Sequence, residues 1–140
     1  MRTVTIYTDG ACRGNPGPGG WAAVLTCDEH VRELAGAEPQ TTNNRMELQA
    51  IVRGLAAIRK PCEITVLSDS RYAIGALTGN KARANLDLVG EAQLHVSRIV
   101  TLGGRVSFSH VNGHAGCPLN ERCDQLAREQ AAATQPEAGA

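Results

Sequence analysis

Three strand patterns stand in succession at the start of the chain, and helical patterns begin only after them. Arg2 to Asp9 alternates, with Val4, Ile6 and Thr8 on one side and Thr3, Thr5, Tyr7 and Asp9 on the other. Gly20–Cys27 and Val31–Ala37 read as two more strands joined by the polar turn Asp28-Glu29-His30. The segment from Gly10 to Gly20 holds five glycines and two prolines and reads as a rigid, exposed turn. Asn44 to Arg59 then carries Met46, Ile51, Leu55 and Ile58 at helical spacing, with Pro61 beyond the end. Glu63–Leu67 predicts a buried strand, Arg71–Leu77 a short helix after the capping run Ser68-Asp69-Ser70, and Asn85–Val100 a helix. Arg105–Val111 alternates as a last strand, and Leu119–Ala133 closes with a helix. The order β-β-β-α-β-α-α-β-α calls for an α/β fold with one mixed sheet flanked by helices. Residues 1–133 form a single domain in this reading, and 134–140 have the composition of a flexible tail.

Composition narrows the class of partner. The 140 residues carry 14 Lys+Arg against 14 Asp+Glu, so bulk positive charge does not draw this chain to nucleic acid. Its aromatic residues are Tyr7, Trp21, Tyr72 and Phe108, too few for a base-stacking platform. The longest apolar run, Trp21–Leu25, falls far short of the about 20 residues that cross a bilayer. No secretory signal is legible, and a cytoplasmic protein without a membrane partner is expected. The cysteines Cys12, Cys27, Cys62, Cys117 and Cys123 are odd in number and form no C-x-x-C pair, which disfavours zinc and a secreted disulfide framework.

Four acids occupy places where carboxylates are costly. Asp9 and Asp69 end strands, where α/β sheets build their sites. Glu47 lies in line with Ile51, Leu55 and Ile58 on the apolar face of its helix, and Asp124 sits beside the inner stripe of the last helix. Each has an ordinary explanation. Asn44-x-x-Glu47 matches a capping box, Asp69 could cap the next helix, Asp124 could pair with Arg128, and Asp9 could open a turn. Together they suggest converging carboxylates, which persist only when protonated or holding cations. An all-oxygen set suits Mg²⁺ or Mn²⁺.

These residues also stand in recognisable motifs. Thr8-Asp9-Gly10 with Gly14-Asn15-Pro16-Gly17-Pro18-Gly19-Gly20 resembles the first motif of type 1 ribonuclease H. Thr41-Thr42-Asn43-Asn44-Arg45-Met46-Glu47 resembles the second, and Ser68-Asp69-Ser70-x-Tyr72 the third. Val111-Asn112-Gly113-His114-Ala115-Gly116 followed by Asn120-Glu121-Arg122-Cys123-Asp124 resembles the last. The matches run in order from residue 1 to about 130. The resemblance implies a ribonuclease H-like fold, a five-stranded mixed sheet with helices on both faces.

It further implies an endonuclease that hydrolyses the RNA strand of an RNA–DNA hybrid, leaving 5′-phosphate and 3′-hydroxyl ends. Asp9, Glu47, Asp69 and Asp124 would hold two Mg²⁺ or Mn²⁺ ions about 3.5–4 Å apart, and His114 would assist proton transfer or product release. The resemblance places contacts to the hybrid on Cys12, Gly14, Asn15, Asn43 and Asn44, and a DNA phosphate on Thr42 and Asn85. Arg71 stands where relatives often carry glutamine. The protein is expected to be a monomer with no obligate protein partner. The basic, Trp-rich protrusion of many relatives is reduced to residues 78–84, which hold only Lys81 and Arg83 as cations. A related nuclease with another nucleic-acid substrate and an inactive hybrid-binding module are the alternatives; the presence of all four acids argues against the second.

Overall fold

A computed structural model describes residues 1–79, 82–112 and 117–135. Strands β1 (Arg2–Cys12), β2 (Gly17–Cys27) and β3 (His30–Thr41) come first. They are followed by α1 (Asn43–Ala56), β4 (Cys62–Ser68), α2 (Arg71–Thr78), α3 (Leu86–Thr101), β5 (Arg105–His110) and α4 (Pro118–Ala133). This is the expected order and the expected five-stranded sheet, arranged β3-β2-β1-β4-β5. β1 pairs antiparallel with β2 and parallel with β4, and β5 joins β4 in parallel, so the sheet is mixed.

Helices cover both faces because the central strands are apolar on both. Ala23 and Leu25 of β2 join Val4, Ile6, Ile64 and Val66 in a core closed by Leu48, Ile51 and Leu55 of α1 and Leu88 and Ile99 of α3. The alternate residues Ala22 and Val24 pack against Cys123 and Ala127 of α4. Burial on both sides explains the unbroken run Trp21–Leu25. Trp21 sits with Met46 and Ala50, and the Arg53 guanidinium lies 5.8 Å from its ring.

Several boundaries differ from the sequence reading. Gly10, Ala11 and Cys12 remain in strand, paired with Trp21, Gly20 and Gly19, so the exposed turn shrinks to residues 13–16. The glycines serve strand packing here, because small residues let helices approach the sheet. β3 continues to Thr41 through Pro39, which an edge strand tolerates. α1 ends at Ala56 and is capped by Thr42, whose Oγ1 accepts from Arg45 N, so the Asn44–Glu47 capping box does not form. Ser70, rather than Asp69, caps α2. All five cysteines are free thiols. Among the described residues no helix is long and apolar enough to cross a membrane.

Candidate nuclease site

The two central parallel strands deliver the first two acids. Tyr7 pairs with Leu67, and two residues further on come Asp9 in β1 and Asp69 just past the end of β4. Backbone bonds hold this edge in place. Thr8 Oγ1 donates to the Leu67 carbonyl at 2.8 Å, and Ser68 Oγ accepts from Ser70 N at 3.1 Å. Glu47 arrives from the first turns of α1, which lies unusually close to β1. A Cβ on Gly10 would come within 2.5 Å of the Glu47 nitrogen, so only glycine permits the approach.

Carboxylate oxygens of Asp9, Glu47 and Asp69 all lie within 4.8 Å of one another. Burial, then the charges of Asp9 and Asp69, push the Glu47 carboxyl far above the usual carboxylate range. Burial and then Asp69 push Asp9 up as well. Glu47 Oε1 is buried without any hydrogen-bond partner. A buried carboxylate oxygen is normally satisfied, and the unmet acceptor beside two more acids is what a divalent cation would fill. The oxygen-only donor set fits Mg²⁺ or Mn²⁺ better than zinc.

Asp124 is not within this cluster. Its side chain forms an i,i+4 ion pair with Arg128 and stays partly exposed, although its charge still raises Asp9. The ordinary reading of this residue is therefore the one its geometry displays, while α4 keeps it near the other acids. His114 lies outside the described residues.

The remaining predicted residues lie at the end of β1, in the first turn and at the starts of α1, α2 and α3. Cys12 is half-buried, its thiol donating weakly toward the carbonyls of Gly17 and Thr41 at 3.5 and 3.4 Å. Gly14 has φ +88°, a conformation that favours glycine. Asn15 is exposed, and its Oδ1 accepts from Asn43 N at 2.8 Å, tying the first turn to α1. Asn43 and Asn44 are exposed at the start of α1, and Arg71 is exposed at the start of α2. Asn85 precedes α3 in the left-handed conformation, φ 55°.

Two contributors were missed from the sequence. His110 ends β5 beside Ser68, and its Nε2 lies 3.1 Å from the Asp69 carbonyl oxygen. Only the pairing of β5 with β4 reveals this. Arg45, two residues before Glu47, reaches Asn85 and Asp87.

The sequence matches the RNase H family profile over residues 1–132. The chain belongs to the RNase H family. It is 44% identical over 143 residues to the ribonuclease H of Chlorobium limicola, covering 91% of this chain and 94% of that protein. Identity to the ribonuclease H of Erythrobacter litoralis is 45% over 140 residues, covering 94% and 97%. Among solved structures, it resembles the N-terminal RNase H domain of a Mycobacterium tuberculosis protein, with a TM-score of 0.78, 29% identity and coverage of 95% and 96%. It also resembles LC11-RNase H1 solved in complex with an RNA/DNA hybrid, with a TM-score of 0.67, 25% identity and coverage of 92% and 96%. Membership in the RNase H family makes the chain a nuclease of the hydrolase class, from a metal-dependent family.

Proposed function

We propose that the protein is an endonuclease that cleaves the RNA strand of RNA–DNA hybrids with two Mg²⁺ or Mn²⁺ ions, leaving 5′-phosphate and 3′-hydroxyl ends. The observation that carries this reading is the meeting of Asp9, Glu47 and Asp69, with a buried Glu47 oxygen left unsatisfied. The RNA/DNA hybrid complex of one structural relative, LC11-RNase H1, supports the substrate class.

In this reading Asp9, Glu47, Asp69 and, after leaving Arg128, Asp124 hold the ions. When bound, divalent ions would activate a water and stabilise the leaving 3′-oxygen. The chain's own task is to keep the acids converged. His110 and Ser68 fix the Asp69 turn, and Gly10 brings Glu47 to Asp9. Cys12, Gly14, Asn15, Asn43, Asn44 and Arg71 face the hybrid, where a contact to the 2′-hydroxyl separates RNA from DNA. Thr42 and Asn85 take a DNA phosphate, and His114 assists proton transfer or product release. The enzyme is read as a cytoplasmic monomer with no obligate protein partner.

The test is cleavage of a labelled hybrid in Mg²⁺, in Mn²⁺ and in EDTA. Asp9→Asn and Asp69→Asn should each abolish product. Cleavage that survives EDTA or either substitution would remove the metal-site assignment. His114→Ala should slow turnover without abolishing it.

A further inference from the structure

Along the rim that runs from the first turn to α3, three side chains share one hydrogen-bonding state. Asn15 Oδ1 accepts from Asn43 N, Thr42 Oγ1 accepts from Arg45 N at 3.2 Å, and Asn85 Oδ1 accepts from Arg45 Nη1 at 3.3 Å. In each case an internal N–H takes the side-chain oxygen. Each still has a donor to give: the amide hydrogens of Asn15, the second amide hydrogen of Asn85 beyond the one given to Tyr72, and the Thr42 hydroxyl proton. Phosphate oxygens only accept, so such a rim is set for a nucleic-acid backbone.

Arg45 supplies two of the three internal donors. Its backbone N–H holds Thr42 and its guanidinium holds Asn85. The same guanidinium grips Asp87 through both carboxylate oxygens, at 3.0 and 2.8 Å. On the far side, Asn85 Nδ2 donates to Tyr72 Oη at 2.9 Å, and Tyr72 donates to the Ala84 carbonyl at 3.2 Å. Arginine has no acceptor, so it dictates every direction in this chain: Oδ1 of Asn85 must face Arg45, Nδ2 must face Tyr72, and the tyrosine proton must go to Ala84. Asn85 offers its helix no side-chain cap and holds φ 55°, so these contacts determine its orientation.

We propose that Arg45 is a positioning residue for substrate binding: its guanidinium holds Asn85 Oδ1 and so turns the Asn85 amide N–H toward a backbone phosphate, beside the Thr42 hydroxyl that the start of α1 holds. Tyr72 completes the hold on Asn85. The proposal rests on the hybrid-nuclease reading above. It assigns Arg45 no direct contact with the substrate.

The experiment is steady-state cleavage of a hybrid by Arg45→Met, Tyr72→Phe and Asp87→Asn, with binding measured in Ca²⁺ across a salt series. Wild-type cleavage checks the parent reading separately. Arg45→Met should raise KM about fivefold, the scale of one modest hydrogen bond lost from the positioning of Asn85, with kcat within about twofold. Tyr72→Phe should act in the same direction and more weakly. Asp87→Asn, which leaves the Asn85 contact, should keep KM within about twofold. The slope of log Kd against log salt should be unchanged in Arg45→Met, whereas loss of a direct ionic phosphate contact would lower it by about 1. Arg45→Met and Asn85→Ala should be non-additive. If Asp87→Asn raises KM as much as Arg45→Met, or if the salt slope drops, the proposal fails. Should Arg45→Met not fold, Tyr72→Phe decides, and an unchanged KM in that variant overturns it.

Discussion

Glu47 is the residue on which the site turns, since it gives up stability for chemistry. Its carboxyl is buried beside two more, and both it and Asp9 are pushed up. A folded-state pKa raised above the unfolded value contributes stability that is fully present below about pH 4. That contribution is lost as pH rises through the raised folded values. With Asp9 pushed up to about 7 and Glu47 to about 10, the metal-free protein should therefore weaken from about pH 4 through pH 7 and on toward pH 10, and Mg²⁺ should restore it. Asp9→Asn removes the repulsion. In metal-free melts at pH 8 it should be more stable than wild type by about 1–2 kcal/mol, about one unit of pKa mismatch, while cleaving nothing. Circular dichroism melts at pH 4.5 and 8, with and without Mg²⁺, check both halves. Equal stability of the two proteins at pH 8 would show that the acids do not strain one another. Another buried titratable group, Cys123, has a different role. Cys123 donates its thiol to the Tyr7 carbonyl at 3.1 Å, and burial raises its pKa to about 12. Its contribution is complete below about pH 8.5 and disappears as pH climbs toward 12. Cys123→Ala should lose about 1–2 kcal/mol at pH 7 yet show a flatter decline above pH 9 than wild type.

At the scale of elements, the spacing between β1 and α1 decides whether the acids meet. Gly10 is the contact, with the backbone of Met46 and Glu47 directly over it. Gly10→Ala should push the helix off the strand, at a cost of about 1–3 kcal/mol from overpacking. It should lower kcat far more than it raises KM, because the metal set opens while the rim residues keep their exposure. Thermal melts and initial rates measure the two. The elements themselves were largely legible: alternation gave β1 and β5, and spacing gave α1 and α3, whereas the burial of Trp21–Leu25 on both faces emerged only from the packing of α1 and α4. Their ends were less so. Gly10–Cys12 and Gly17–Gly19 have turn composition, yet Gly10–Cys12 pair with Gly19–Trp21 across the hairpin and Gly17 pairs with Thr41 of β3, because the helices above need small residues. Thr42 rather than Asn44 caps α1, a two-residue shift that depends on where β3 stops. The positions of Asp9, Glu47 and Asp69 suggested converging acids, and they meet, but position pointed equally to Asp124, which pairs with Arg128 instead. His110 and Arg45 were not legible, because their partners Asp69 and Asn85 lie 41 and 40 residues away and meet them only through the folded sheet and helices.

On the scale of the whole molecule, the zero net charge divides unevenly. If four acids are neutralised by two divalent ions, 14 cations face 10 remaining acids, a working surface of +4. That is mild for a protein that grips a polyanion. α2 ends at Thr78 and α3 begins at Leu86, and no helix or strand stands between them among the described residues. The grip then depends on the donor rim and on the metal site, both short in range. Grafting a basic, Trp-containing helix and loop between Gly79 and Ala84 should therefore lower KM by about tenfold or more at low salt. The slope of log Kd against log salt should steepen by about one unit for each new phosphate contact, while kcat, set by the unchanged acids, stays the same. Fluorescence anisotropy across a salt series, paired with initial rates, separates the two effects. An unchanged KM with a steeper salt slope would mean that the added charge binds the hybrid out of register with the site. The shortened segment would then be no handicap, and the rim from Asn15 to Asn85 would already supply the positioning that the larger enzymes obtain from charge.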